Sequence, residues 1–213
     1  MTGYTYSTSG IATSGAHQTS LGGGFDGFVA KFSASGSLSW STYYGGSGND
    51  GLQSVSTDAS GNAYLVGFSN SSNNIATSGA YQTSVKGNVE CTLSKFNSSG
   101  SLVWGTYFGG TNADQGYGVM TDRTGHVYMT GYTSSSANIA TSGAFQTAYG
   151  GGGDAFLAKF GTSTGNLIWS TYYGGSSEEA CVNIAVDPLG NVFMGGYTSG
   201  SSNLAFNAIQ RNL

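Results

Sequence analysis

The hexapeptide Ile-Ala-Thr-Ser-Gly-Ala occurs three times, at 11–16, 75–80 and 139–144, with a step of 64 residues each time. Lys31-Phe32, Lys95-Phe96 and Lys159-Phe160 keep the step. So do Trp40, Trp104 and Trp169, with one extra residue before the last, and Asp58, Asp122 and Asp187 follow in register. A fixed period of this length implies one supersecondary unit used repeatedly, each copy burying its apolar face against the next.

Within a unit the apolar residues alternate with polar ones. Leu38, Trp40, Thr42 and Tyr44 face one way, and Ser39, Ser41 and Tyr43 the other. Period two specifies strands, not helices. Four strands are read per unit and lettered in order: a near 25–32, b at 38–45, c near 52–57 and d at 63–68. The a–b link (Ser-Ala-Ser-Gly-Ser) and the c–d link (Asp-Ala-Ser-Gly-Asn) read as hairpin turns, with glycine taking a left-handed backbone. A connector of about 20 residues, unusually long, joins d to the next a. Strand d is apolar on both faces, as expected of a sheet covered on both sides. The expectation is an all-β array of four-stranded antiparallel blades of the propeller type. Its divisions are 1–24 (the last strand of a preceding blade plus connector), 25–88, 89–152 and 153–213, with complete blades at 25–69, 89–133 and 153–198.

Composition narrows the function classes. Glycine accounts for 37 of 213 residues, proline for one, and charged groups for only 16. The 28 aromatic side chains nevertheless supply a core, which argues against disorder. Six basic residues spread along the chain cannot track a phosphate backbone, so nucleic acid is not an expected partner. No apolar run is long enough for a membrane helix, so membrane insertion is not expected. Cys91 and Cys181 stand outside the repeat rule and read as free, partly buried thiols.

The strings Asp154-Ala-Phe-Leu-Ala-Lys-Phe160, Leu167-Ile-Trp-Ser-Thr-Tyr-Tyr-Gly-Gly175 and Val186-Asp-Pro-Leu-Gly-Asn-Val192 resemble the bacterial seven-bladed β-propeller repeat family. The connector Ile-Ala-Thr-Ser-Gly-Ala-x-Gln-Thr resembles the version found in large secreted surface proteins of Bacteroidota. The resemblance implies a propeller fold and an extracellular, secreted setting, and little chemistry. Met1-Thr-Gly-Tyr-Thr5 is identical to Met129-Thr-Gly-Tyr-Thr133, and the chain stops within a connector at Asn207-Ala-Ile-Gln210. The expectation is a segment of a longer polypeptide, partnered by its other blades or by copies of itself through exposed blade edges.

In such an array the b–c loops and d–a connectors share one face. Asp50, Asp114 and Glu179 belong to b–c loops, and Asn49, Asn112 and Glu178 join them there. Asp26, Glu90 and Asp154 open strand a on the same face. Hard oxygen ligands suit Ca²⁺, so Asp26, Glu90 and Asp154 are the weak candidates for such an ion. No Asp-x-Asp-x-Asp-Gly spacing supports them, and no cofactor is otherwise expected. The competing reading makes each acid a cap on backbone N–H groups of a Gly-rich turn. Asp58, Asp122 and Asp187 read as c–d turn caps. The connector pairs His17-Gln18, Tyr81-Gln82 and Phe145-Gln146 set an aromatic beside an amide, which suits a glycan. The competing reading is a plug that pins the connector to its blade. The three tryptophans read as core between blades, and Lys31, Lys95 and Lys159 as snorkelling or paired with an acid. No Ser-His-Asp set recurs, and Arg123 and Arg211 are too few for a sialidase-type site. The expected function is a non-enzymatic structural or adhesive module, with a glycan-binding lectin as the alternative.

Overall fold

The computed structural model describes residues 1–200, and the expected last connector beyond residue 200 lies outside them. Among the described residues there are thirteen strands and no helix, hence none long and apolar enough to cross a membrane. They are β1 (Thr2–Thr5), β2 (Asp26–Phe32), β3 (Leu38–Tyr44), β4 (Asp50–Thr57), β5 (Ala63–Ser69), β6 (Glu90–Phe96), β7 (Leu102–Phe108), β8 (Asp114–Thr121), β9 (His126–Thr133), β10 (Asp154–Gly161), β11 (Leu167–Tyr173), β12 (Glu179–Val186) and β13 (Val192–Thr198). All strand pairs are antiparallel. Each strand expected from period-two alternation is present within about two residues. The hairpin glycines Gly36 and Gly61 adopt φ of 80° and 75°.

The grouping of strands into sheets differs from the expectation. The sheets run β1-β2-β3, β4-β5-β6-β7, β8-β9-β10-β11 and β12-β13. A full sheet therefore has the order c-d-a-b: strand d pairs with the a that follows the long connector, and b and c of one unit lie in different sheets. The two complete sheets span 50–108 and 114–173, not the blades at 25–69, 89–133 and 153–198. The reason lies in the connector, which occupies the outer edge of strand b, where c would have paired. Thr13, Thr77 and Thr141 donate backbone N–H bonds to Ser41, Gly105 and Ser170 at 3.0, 2.9 and 2.9 Å. Tyr43, Tyr107 and Tyr172 return bonds to Gln18, Gln82 and Gln146 at 3.2, 3.1 and 3.2 Å. The connector thus seals an edge that would otherwise present bare N–H and C=O groups. The short b–c link carries the chain onward to the next sheet.

The core lies between sheets. Val29, Tyr44, Leu52, Leu65, Phe96 and Tyr107 join the first sheet to the second. Val66, Leu93, Phe108, Val119, Met129 and Phe156 join the second to the third. Ile75 and Ile139 of the connectors are buried as well, so these segments are ordered parts of the core. The first sheet also clamps the second, and the second the third. Trp40 Nε1 and Lys31 Nζ both donate to the Ser98 carbonyl at 3.0 Å, in the β6–β7 turn. Trp104 Nε1 and Lys95 Nζ donate to the Thr162 carbonyl at 3.1 and 3.0 Å, in the β10–β11 turn. The two lysines pair with a turn carbonyl and not with an acid.

Candidate functional site

Three equivalent polar clusters stand at one end of the sheets. In each, the connector glutamine bridges three elements. Gln18 Nε2 donates to the Ser20 carbonyl at 2.9 Å and to Asp26 Oδ2 at 2.6 Å, and its Oε1 accepts from the Gly45 N–H at 2.9 Å. Gln82 does the same with Ser84 (3.0 Å), Glu90 (3.1 Å) and Gly109 (3.2 Å). Gln146 repeats it with Ala148 (2.9 Å), Asp154 (2.9 Å) and Gly174 (3.0 Å). The amide is used by the connector, by the acid that opens strand a and by the glycine that ends strand b. This geometry is the plug, and it occupies the polar groups on which the glycan reading relied.

The acids act in pairs. Asp26, Glu90 and Asp154 hold connector backbone: the Gly22 N–H at 2.8 Å, the Lys86 and Gly87 N–H groups at 2.6 and 2.7 Å, and the Gly150 N–H at 3.0 Å. Asp50, Asp114 and Glu179 hold the next turn through the N–H groups of Gly46, Gly110 and Gly175 at 2.7, 2.8 and 2.7 Å. They also accept from the hydroxyls of Ser69, Thr133 and Thr198. All six carboxyl groups are buried. The members of each pair flank one glycine. A Cβ at Gly109 would lie 2.3 Å from both Asp114 Oδ2 and Glu90 Oε2, so no other residue fits between them. A Cβ at Gly45 would lie 2.5 Å from Asp26 Cγ, and one at Gly174 2.6 Å from Asp154 Cγ.

Burial sets the electrostatics of these clusters. It raises the carboxyl pKa of Asp26, Glu90 and Asp154, and that of Asp114 to about 6, against the opposing pull of their hydrogen bonds. The partner carboxylates Asp50, Glu90 and Glu179 push Asp26, Asp114 and Asp154 further in the same direction. Asp26 Oδ1 is buried without a hydrogen-bond partner among the described residues. Asp26, Glu90 and Asp154, the weak Ca²⁺ candidates, spend most of their oxygens on connector N–H groups. Among the described residues no group of three His, Cys, Asp or Glu side chains is placed to hold a metal.

The remaining candidates divide by exposure. Asn49, Asn112 and Glu178 lie exposed on the b–c loops. Asn112 Nδ2 bonds the Ser134 carbonyl at 2.9 Å, and Glu178 Oε1 accepts from the Tyr197 hydroxyl at 3.2 Å. His17 and Tyr81 pack edge-on against Phe96 and Phe160 of the following sheet, at 5.7 and 6.0 Å between ring centroids. Phe145 differs: it stacks on Tyr173 at 6.2 Å yet stays 82% exposed. It borders a cavity of about 590 Å³ that Thr141, Leu157, Trp169 and Met194 also line. Asp58, Asp122 and Asp187 cap their turns as expected, Asp58 Oδ1 accepting from the Ser60 and Asn62 N–H groups at 2.9 and 3.0 Å. Cys91 and Cys181 are free and buried, Cys91 completely. Burial pushes the Cys91 thiol well above its ordinary pKa.

Sequence reasoning missed that glutamine, acid pair and glycine pair form one cluster. The signal was available in the joint recurrence of Gln18, Asp26, Gly45-Gly46 and Asp50 at the unit spacing. It also missed the shared turn carbonyl that receives both Lys and Trp.

The sheets and clusters define a class: an all-β array of repeated antiparallel units. Two stretches of the chain, residues 103–139 and 168–204, match the SBBP family, described as a beta-propeller repeat. These matches support a beta-propeller repeat family, and the four-stranded antiparallel sheets agree with propeller-like blades. Each match begins in strand b, continues through c and d into the connector, and so crosses from one sheet to the next. Comparison with curated proteins gave no match.

Proposed function

We propose that this chain is a non-enzymatic module of a larger secreted surface protein in which it serves as a structural and adhesive scaffold. Its unit is a 64-residue repeat of a seven-bladed propeller of the Bacteroidota type, and its setting is extracellular. Its partners are the adjoining blades or further copies of itself. The observation that carries this reading is the internal use of the recurring polar side chains. Gln18, Gln82 and Gln146 and the six paired acids spend their hydrogen bonds on connectors and turns, so the repeat selects for a held loop and not for a free reactive group. The test is protease shaving of intact cells with mass analysis of the native polypeptide. A surface-accessible species far above 21.7 kDa supports the reading, and an intracellular species of that mass refutes it.

A lectin is the second reading, favoured by one observation. Phe145 is an exposed aromatic at the mouth of a cavity beside Trp169, and aromatic faces with nearby hydroxyls receive sugars. Binding to immobilised glycans that is lost in Phe145→Ala would replace the scaffold reading with this one.

A further inference from the structure

Each connector is fastened to its sheet through two buried carboxyl groups that face each other across one glycine. A Cβ at Gly45 would stand 2.6 Å from Asp26 Oδ1 and 2.8 Å from Asp50 Oδ2. At Gly109 the oxygens are Glu90 Oε2 and Asp114 Oδ2, both 2.3 Å from that point. At Gly174 they are Asp154 Oδ1 and Glu179 Oε2, both 2.9 Å from it. The two oxygens of a pair are thus separated by at most about twice these distances. None of the six residues is more than 3% exposed.

Two carboxylates this close and out of water do not both keep their charge unless a cation joins them. Among the described residues, none of the six forms an ion pair; His126 and Asp122 do, at 2.9 Å. Lys31 and Lys95 are spent on turn carbonyls. Lys86 is exposed and its charge bears on Glu90 alone. The other titratable groups that face the pairs are Tyr43 and Tyr44 of β3, Cys91 of β6, Tyr107 of β7, Tyr149 of the connector and Tyr172 of β11. Burial raises all of these phenols and the thiol, so they are uncharged wherever the carboxyls titrate.

The hydrogen bonds single out one oxygen in each pair. Asp26 Oδ2 accepts twice, at 2.6 and 2.8 Å, whereas Asp26 Oδ1 is buried with no partner. Glu90 Oε1 accepts twice, at 2.6 and 2.7 Å, and Oε2 once, at 3.1 Å. Asp154 Oδ2 accepts at 2.9 and 3.0 Å, and Oδ1 only a shared bond at 3.3 Å. In all three units the poorly served oxygen is the one that faces the partner acid. A carboxyl oxygen that carries a proton donates, so it can go without an N–H donor of its own.

We infer that each pair holds one proton between its facing oxygens, donated by Asp26, Glu90 or Asp154 to Asp50, Asp114 or Glu179. The proton joins the connector to the b–c turn. When it leaves, the two charges repel across the glycine and the connector loosens from the edge of strand b. The acids of the unfolded chain are ionised above about pH 5, so only the folded chain carries these protons. The connectors are therefore held in mild acid and released as pH climbs through the midpoint of the pair. Burial, which lifts Asp114 to about 6, sets that midpoint near neutrality. The clamp belongs to the fold and is independent of the scaffold and lectin readings.

The test is carboxyl-carbon NMR and hydrogen exchange of the 213-residue chain between about pH 5 and pH 8, with chelator present. The Asp26 and Asp50 carbons should move together through common midpoints, because the steps belong to the pair. Asp26→Asn copies the protonated acid. Its amide oxygen, in the place of Oδ2, still accepts from Gln18 and Gly22, and its amide nitrogen sets a permanent N–H where Oδ1 stands. In the wild type, exchange at the Tyr43 and Tyr107 amides, which bond the Gln18 and Gln82 carbonyls, should accelerate by about tenfold or more beyond base catalysis over this range. In Asp26→Asn the excess should vanish at Tyr43 and persist at Tyr107, whose own pair is intact. An Asp26 carbon that titrates while Asp50 stays ionised overturns the shared proton, and this wild-type measurement stands even where the variant fails to fold. The same excess at Tyr43 in variant and wild type overturns it as well. So does calcium, added in place of chelator, that abolishes the wild-type response, because a metal ion would then join the pair.

Discussion

Asp114→Asn is expected to become more favourable as pH rises. Asp114 is fully buried beside Glu90, and burial lifts its pKa from the usual 3.8 to about 6. A carboxyl raised in the folded state binds its proton more tightly there than in the unfolded chain. Stability is therefore intact below the unfolded value and is lost as pH climbs from 3.8 through 6. A rise of roughly two units corresponds to about 3 kcal/mol, an upper figure for the swing, at about 1.36 kcal/mol per unit. Asparagine cannot ionise and keeps the main contacts. Its amide oxygen, in the place of Oδ2, still accepts from the Gly110 N–H and the Ser135 hydroxyl. Its amide nitrogen faces the Thr133 hydroxyl, which turns to accept. Urea unfolding followed by tryptophan fluorescence gives the stability difference between variant and wild type. Between about pH 4 and pH 7 that difference should move by about 2–3 kcal/mol in favour of asparagine. Asp58, Asp122 and Asp187 have lowered pKa values and pull the wild-type curve the other way, which is why only the difference isolates Asp114. The same difference at both pH values would refute the argument, because Asp114 would then titrate as an ordinary aspartate.

Three further outcomes are expected. Trp104→Ala should cost about 3–5 kcal/mol in urea unfolding, because the ring is buried on Gly165, and Trp40→Ala less, because its ring is only half-buried. A loss below about 1 kcal/mol at Trp104 would mean that the ring is exposed. Gln82→Ala should cost about 1–3 kcal/mol and speed hydrogen exchange at Gly109, whose N–H loses its acceptor; an unchanged Gly109 rate would deny the plug. Cys91 should resist thiol reagents until the protein unfolds, since its thiol is buried and hard to ionise; rapid labelling of the native chain would contradict this.

The strands were legible because alternation with period two survives in every unit, and the turns because Gly36 and Gly61 sit where a left-handed residue is needed. The sheets were not legible from the same pattern. Both the b–c and the d–a neighbours are antiparallel, and connection length favours the shorter one. The decision rests on Thr13, Thr77 and Thr141, whose backbone bonds fill the edge of strand b, and nothing in the hydrophobic period reports such a bond. The face on which the acids gather was legible from strand direction. Their pairing was not, because it depends on two loops from different sheets meeting around Gly45, Gly109 or Gly174. Phe145 looked equivalent to His17 and Tyr81 in sequence, and only the position of its sheet in the array sets it apart.

The connector that closes the side of its own sheet has an evolutionary consequence. Each unit brings its own cover, so duplication or loss of a whole unit changes the length of the array without baring a lateral strand to other proteins. The number of units is then free to drift under recombination while the side-chain rules stay constant, and selection on such a gene acts on its span as readily as on its residues.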